Sequence, residues 1–76
     1  MNVKLIGWKE GMQKVSLTKL QTKYIGISLK EAKSNVDRLL DGERIELKLK
    51  STQEAQEFVR EARGIGVICE AFGATF

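Results

Sequence analysis

Residues 44–50, RIELKLK, alternate apolar and charged side chains without a break. Ile45, Leu47 and Leu49 share one side, and Glu46, Lys48 and Lys50 share the other. This is the period-two pattern of a strand with one dry and one wet face. A helix start follows at once, because Ser51 with Glu54 three residues on is a capping box. A second capping box, Ser28 with Glu31, opens an amphipathic stretch upstream. A half-wet strand held between two helices excludes a helical bundle and an all-β sandwich. It requires a sheet with helices packed against it.

The rest of the chain fits that requirement. There is no proline, and seven glycines punctuate the elements. Residues 3–8, VKLIGW, and 66–72, GVICEAF, are predicted strands that flank the whole set. Three helices are predicted over 14–25, 29–41 and 52–63, ended by Gly26, Gly42 and Gly64. Their core stripes are Leu17, Leu20 and Tyr24; then Leu29, Ala32, Val36, Leu39 and Leu40; then Ala55, Phe58, Val59 and Ala62. The order is β-α-α-β-α-β. Two helices between the first and second strands make those strands antiparallel, and one helix between the second and third makes that pair parallel. An α+β fold with a three-stranded sheet of order 2-1-3 satisfies both, with the three helices on one face in a two-layer arrangement. All 76 residues form one domain, whose small core buries only about 60% of the unfolded surface.

Composition narrows the chemistry. With no histidine and one cysteine, there is no imidazole base and no Cys/His zinc site. Cys69 falls on the apolar face of a strand, where a thiol is inert. Glu31 and Glu54 are spaced as helix caps. Gly-Ile-Gly at 64–66 runs from helix to strand, the reverse of a phosphate loop. No enzyme, cofactor or metal is expected. No apolar run reaches the ~20 residues of a membrane span, and the N-terminus carries no secretory pattern. With its lone cysteine, the chain is expected in the cytoplasm.

Charge points to a surface. Residues 1–33 hold seven lysines against two glutamates, while residues 34–76 hold six basic and eight acidic side chains. A basic half suits an acidic partner. Opposite the first helix's core stripe lie Val15, Lys19 and Thr22, flanked by Lys14 and Thr18. An apolar centre ringed by lysines is the pattern of a docking surface. The aromatic residues are not interleaved with the lysines as base-stacking platforms, so direct nucleic-acid binding is not expected. Strand alternation sends Lys4, Ile6, Trp8, Ile68, Glu70 and Phe72 to the open face of the sheet. Ile6, Trp8, Ile68 and Phe72 would form one apolar patch there. Two covers suit it: Phe76 folding back from the tail, or a second copy in a homodimer.

The segment KVSLTKLQTKYIGISLKEAKSNVDRLL, residues 14–40, resembles the signature of the C-terminal domain of the bacterial ribosomal stalk protein. That family reads roughly K-V-x-x-I-K-x-x-R-x-x-T-G-L-G-L-K-E-A-K-x-L-V. STQEAQEFVREARGIGVICE resembles its last helix and strand, and the likeness covers about residues 3 to 70. The resemblance implies the same β-α-α-β-α-β fold. It also implies a module that catches translational GTPases, the elongation factors among them, on its first two helices. The matching positions are Lys14, Val15, Lys19, Glu31 and Lys33. Thr18 stands where the family has isoleucine, Thr22 where it has arginine, and Ser28 where it has glycine. The family's N-terminal dimerisation domain and hinge are not in the sequence, so contact with a ribosome is expected to be indirect. The alternative is an adaptor of the same fold with another protein partner. The protease adaptor for N-terminal degrons carries this fold and shows that the scaffold changes partners.

Overall fold

The computed structural model describes residues 1–73. The elements are β1 (Asn2–Trp8), α1 (Lys14–Ile25), α2 (Leu29–Leu40), β2 (Ile45–Lys48), α3 (Thr52–Gly64) and β3 (Val67–Phe72). The sheet has the order β2-β1-β3, and β1 runs antiparallel to both neighbours. The expected α+β topology is therefore present.

The helix ends follow their local chemistry. Ser28 Oγ accepts the Glu31 N–H and Ser51 Oγ accepts the Glu54 N–H, each at 3.1 Å. Gly26 ends α1 with φ +71°, and its N–H closes on the Thr22 carbonyl at 3.1 Å. This left-handed backbone favours glycine. At the end of α3 the expectation is corrected. Gly64 still belongs to the helix, and Gly66 at φ +99° makes the turn into β3. The Gly66 backbone also lies against Met12, so a Cβ there would stand 2.9 Å from the Met12 Cα. Hydrogen bonds from Lys9 to Gly66 and from Gln13 to Ile65 tie the two loops together.

One core joins the sheet to all three helices. It contains Val3, Leu5, Ile45, Leu47, Leu49, Val67 and Cys69 from the strand segments, with Leu17, Leu20, Val36, Leu39, Phe58 and Val59 from the helices. Phe58 is fully buried, and the Tyr24 ring meets it edge-on with centroids 5.7 Å apart. The Cys69 thiol is buried, and desolvation pushes its pKa up against a smaller pull from Arg63. No helix among the described residues is long and apolar enough to cross a membrane.

The strand alternation breaks at one place. Leu5 pairs with Cys69, but the next partner of Ile68 is Gly7 rather than Ile6, and Trp8 then pairs with Val67. Ile6 is thus the extra residue of a β-bulge. The bulge shifts the phase of the strand end, so Trp8 pairs with the buried Val67 while itself remaining 43% exposed. Gly7 takes the place beside Ile68, whose side chain lies 3.8 Å from where a Gly7 Cβ would be. On the open face, the pair Lys4–Glu70 separates Ile68 from Phe72, and Lys4 Nζ sits 5.3 Å from the centre of the Phe72 ring. The expected single patch of Ile6, Trp8, Ile68 and Phe72 is corrected: the Lys4–Glu70 pair sets Phe72 apart, Trp8 follows the shifted phase, and Ile6 and Ile68 still share one shallow pocket. Phe76, the other proposed cover, lies outside the described residues.

Candidate functional site: a groove between the first two helices

A buried polar pair sets how α1 meets α2. Gln21 is 0% exposed. Its Nε2 donates to the Ala32 carbonyl at 3.1 Å and more weakly to the Leu17 carbonyl at 3.4 Å. Its Oε1 accepts from Asn35 Nδ2 at 2.9 Å. A buried amide is stable only when its groups are paired, and this one is paired only when the two helices sit in this relation. Apolar periodicity could not reveal it. Gln21 lies beside the Leu17–Leu20–Tyr24 stripe, and its side chain reads as polar and therefore exposed.

This pairing rotates α1. Thr18, expected on the outer flank, is only 7% exposed, and its Oγ1 donates to the Lys14 carbonyl at 3.0 Å. The inward face of α1 therefore includes Leu17, Thr18, Leu20 and Gln21, and it is turned toward α2 relative to the expected stripe. Val15 stays outside and is 68% exposed.

Between the helices lies an open groove of about 380 Å³. Lys14, Val15, Thr18 and Lys19 line it from α1, and Leu29, Lys33, Val36 and Asp37 line it from α2. Five of the expected contact residues, Lys14, Val15, Thr18, Lys19 and Lys33, thus share one concavity. Thr22 is not in its wall, and its hydroxyl donates back to the Lys19 carbonyl at 2.9 Å. Glu31, whose N–H donates to the Ser28 cap of α2, borders a separate groove beside β2.

Leu29 was expected in the core and is instead 60% exposed. The buried residues of α2 are Ala32, Asn35, Val36 and Leu39. At 100° per residue, Leu29 stands about 70° from the centre of that face. It is also the first residue of the helix, where little packs above it. The signal was present in the angle, but an apolar residue at the edge of a stripe reads as core until the buried polar partner, Asn35, is known.

The electrostatics of the groove are simple. Three lysines and one aspartate line it. Ion pairs among the described residues engage Lys23 with Glu61 at 4.0 Å and Arg38 with Glu43 at 3.1 Å. Lys14, Lys19 and Lys33 are in neither pair. Lys23 is turned away, 5.2 Å from the centre of the Tyr24 ring. The Tyr24 hydroxyl donates to the Glu61 carboxylate and so joins α1 to α3. That hydrogen bond, with burial and the carboxylate charge, raises the Tyr24 pKa to about 12. Chemically, the groove offers an apolar floor with cations at its rim that enter no ion pair among the described residues. In comparisons with known proteins, the sequence matches no family model and no curated protein.

Proposed function

We propose that this chain is a non-catalytic protein-binding module whose α1–α2 groove receives an acidic protein surface. The observation that carries the proposal is the convergence of Val15 and Leu29, both well exposed, on one groove rimmed by Lys14, Lys19 and Lys33. An apolar side chain of the partner rests on Val15, Leu29 and the edge of Val36. Carboxylates around it meet the three ammonium groups. Apolar burial supplies the affinity, and the lysines speed the encounter and select against basic surfaces. The resemblance to the ribosomal stalk domain makes translational GTPases the first partners to test, in the cytoplasm and with the ribosome reached only through them.

A second reading keeps the groove and changes the partner. Its support is local. The hydroxyls of Thr18 and Thr22 both turn back onto α1 carbonyls. These positions therefore present neither the apolar branch nor the guanidinium that the stalk family offers there. A guanidinium grips carboxylates bidentately, and threonine cannot replace it.

Titration calorimetry with purified elongation factor G tests the first reading. Wild-type protein is expected to bind with an affinity that falls as salt rises. Leu29→Ser and Val15→Asp are expected to abolish binding, and Lys19→Glu with Lys33→Glu to weaken it about tenfold or more and flatten its salt dependence. These positions are exposed, so stability should change by less than about 0.5 kcal/mol. Unchanged affinity in all three variants would remove the groove as the contact surface. No binding by the wild-type protein would leave the second reading, to be pursued by capture from cytoplasm with wild-type protein against Leu29→Ser.

A further inference from the structure

The order β2-β1-β3 leaves two free sheet edges, and the fold treats them differently. In an antiparallel pair, residues alternate between those whose N–H and C=O face the partner strand and those whose groups face away. The Leu49 N–H donates to the Met1 carbonyl at 2.8 Å, and this sets the phase. Ile45, Leu47 and Leu49 turn toward β1, while Glu46 and Lys48 turn their backbone groups to the free side. Carried across β1, the same phase turns Glu70 and Phe72 inward, opposite Lys4 and Asn2. Cys69 and Ala71 then face the other free edge. There the Cys69 carbonyl accepts from Arg63 Nη2 at 3.1 Å. A charged side chain laid on an edge strand obstructs the addition of another strand. The β3 edge is guarded in this way. On the β2 edge, no side chain or loop among the described residues hydrogen-bonds the backbone of Glu46 or Lys48.

We propose that the β2 edge is a self-association surface. Two copies pair β2 with β2 about a two-fold axis through Leu47, joining two three-stranded sheets into one of six strands. The occupant is chosen by charge. That axis sets Glu46 of each copy opposite Lys48 of the other, twice, and their outward backbone groups form the ladder. Sliding the register by two residues sets Glu46 against Glu46 in one direction and Lys48 against Lys48 in the other. Sliding it by one residue turns the wet face onto the dry one. Arg44 and Lys50 face each other only beyond the strand ends, where long side chains spread into water. The same axis runs α2 antiparallel to its copy. A groove of about 370 Å³ lies between α2 and β2, with half-buried Ile25 and Ile27 in its wall. Antiparallel helices bring its Glu31 end toward the Arg38 end of the second copy. This association uses none of the lysines of the α1–α2 groove.

Sedimentation equilibrium of the full chain over a wide concentration range is the test, with circular dichroism to check folding. Wild-type protein is expected to form dimers as concentration rises. Glu46→Lys and Lys48→Glu each convert two attractive cross-strand pairs into repulsive ones. Each variant is expected to weaken dimerisation about tenfold or more. An equimolar mixture of the two variants restores both pairs and is expected to dimerise like the wild type, as is the double variant Glu46→Lys/Lys48→Glu. An unfolded variant cannot give that rescue. A wild-type chain that stays monomeric throughout overturns the proposal. So do single reversals that dimerise like the wild type, or a mixture of folded variants that stays monomeric.

Discussion

Removing the Asn35 side chain tests the polar hinge under the groove. In Asn35→Ala the Gln21 Oε1 loses its 2.9 Å donor, while Gln21 remains 0% exposed. A buried acceptor left unpaired costs about 1–3 kcal/mol. Alanine returns up to about 0.7 kcal/mol because it favours the helix more than asparagine does. The net loss is about 1.5 kcal/mol, from a total of roughly 4–11 kcal/mol for a domain of this size. At about 4–8 °C per kcal/mol, the melting temperature falls by about 6–12 °C. Urea titration followed by circular dichroism gives the free energy, and calorimetry gives the melting temperature. The partner variant is Gln21→Leu/Asn35→Leu, which removes both polar groups and should lose much less. In a double-mutant cycle the two sites should couple by about 0.5–3 kcal/mol. Because α1 and α2 supply opposite walls of the groove, Asn35→Ala should also weaken partner binding while leaving its salt dependence unchanged. A loss below about 0.5 kcal/mol, or strictly additive effects in the cycle, would refute the claim that this pair sets the helix relation.

Two further outcomes follow from single side chains. Gly66→Ala puts a Cβ 2.9 Å from the Met12 backbone at φ +99° and should cost about 2 kcal/mol or more. Gly64→Ala meets nothing within 4 Å and should gain about 0.5–1 kcal/mol, so denaturation midpoints that move in the same direction for both would contradict the assignment of the turn to Gly66. Tyr24 has a folded pKa of about 12 against an ordinary 10.0, so its protonated form is favoured by folding. Its contribution is full below pH 10 and lost as pH rises toward 12. Phenolate absorbance should therefore appear later in the folded than in the unfolded chain, and Tyr24→Phe should lose about 1 kcal/mol at neutral pH together with that part of the alkaline dependence.

Residues close together in the chain carried most of the architecture. Ser28 and Ser51 announce their helices because a cap is a contact with the next turn. RIELKLK announces its face because alternation is a property of one strand. The strand order follows from the count of helices between strands, and Val15 and Lys19 point outward because the helix period places them there. The details that shape the site came from contacts between elements. Thr18 is buried and Leu29 exposed because Gln21 must find Asn35, a residue on another helix. Trp8 pairs with Val67 rather than falling in step with Ile6, and stays exposed at the strand end, because β1 holds one residue more than β3 across the Ile6 bulge, and only the partner strand reveals the excess. Gly66 makes the turn because Met12 closes on it from a distant loop. A period reports the average side that one element turns inward. It does not report where the edge of that side falls, because the edge is set by the neighbour that meets it.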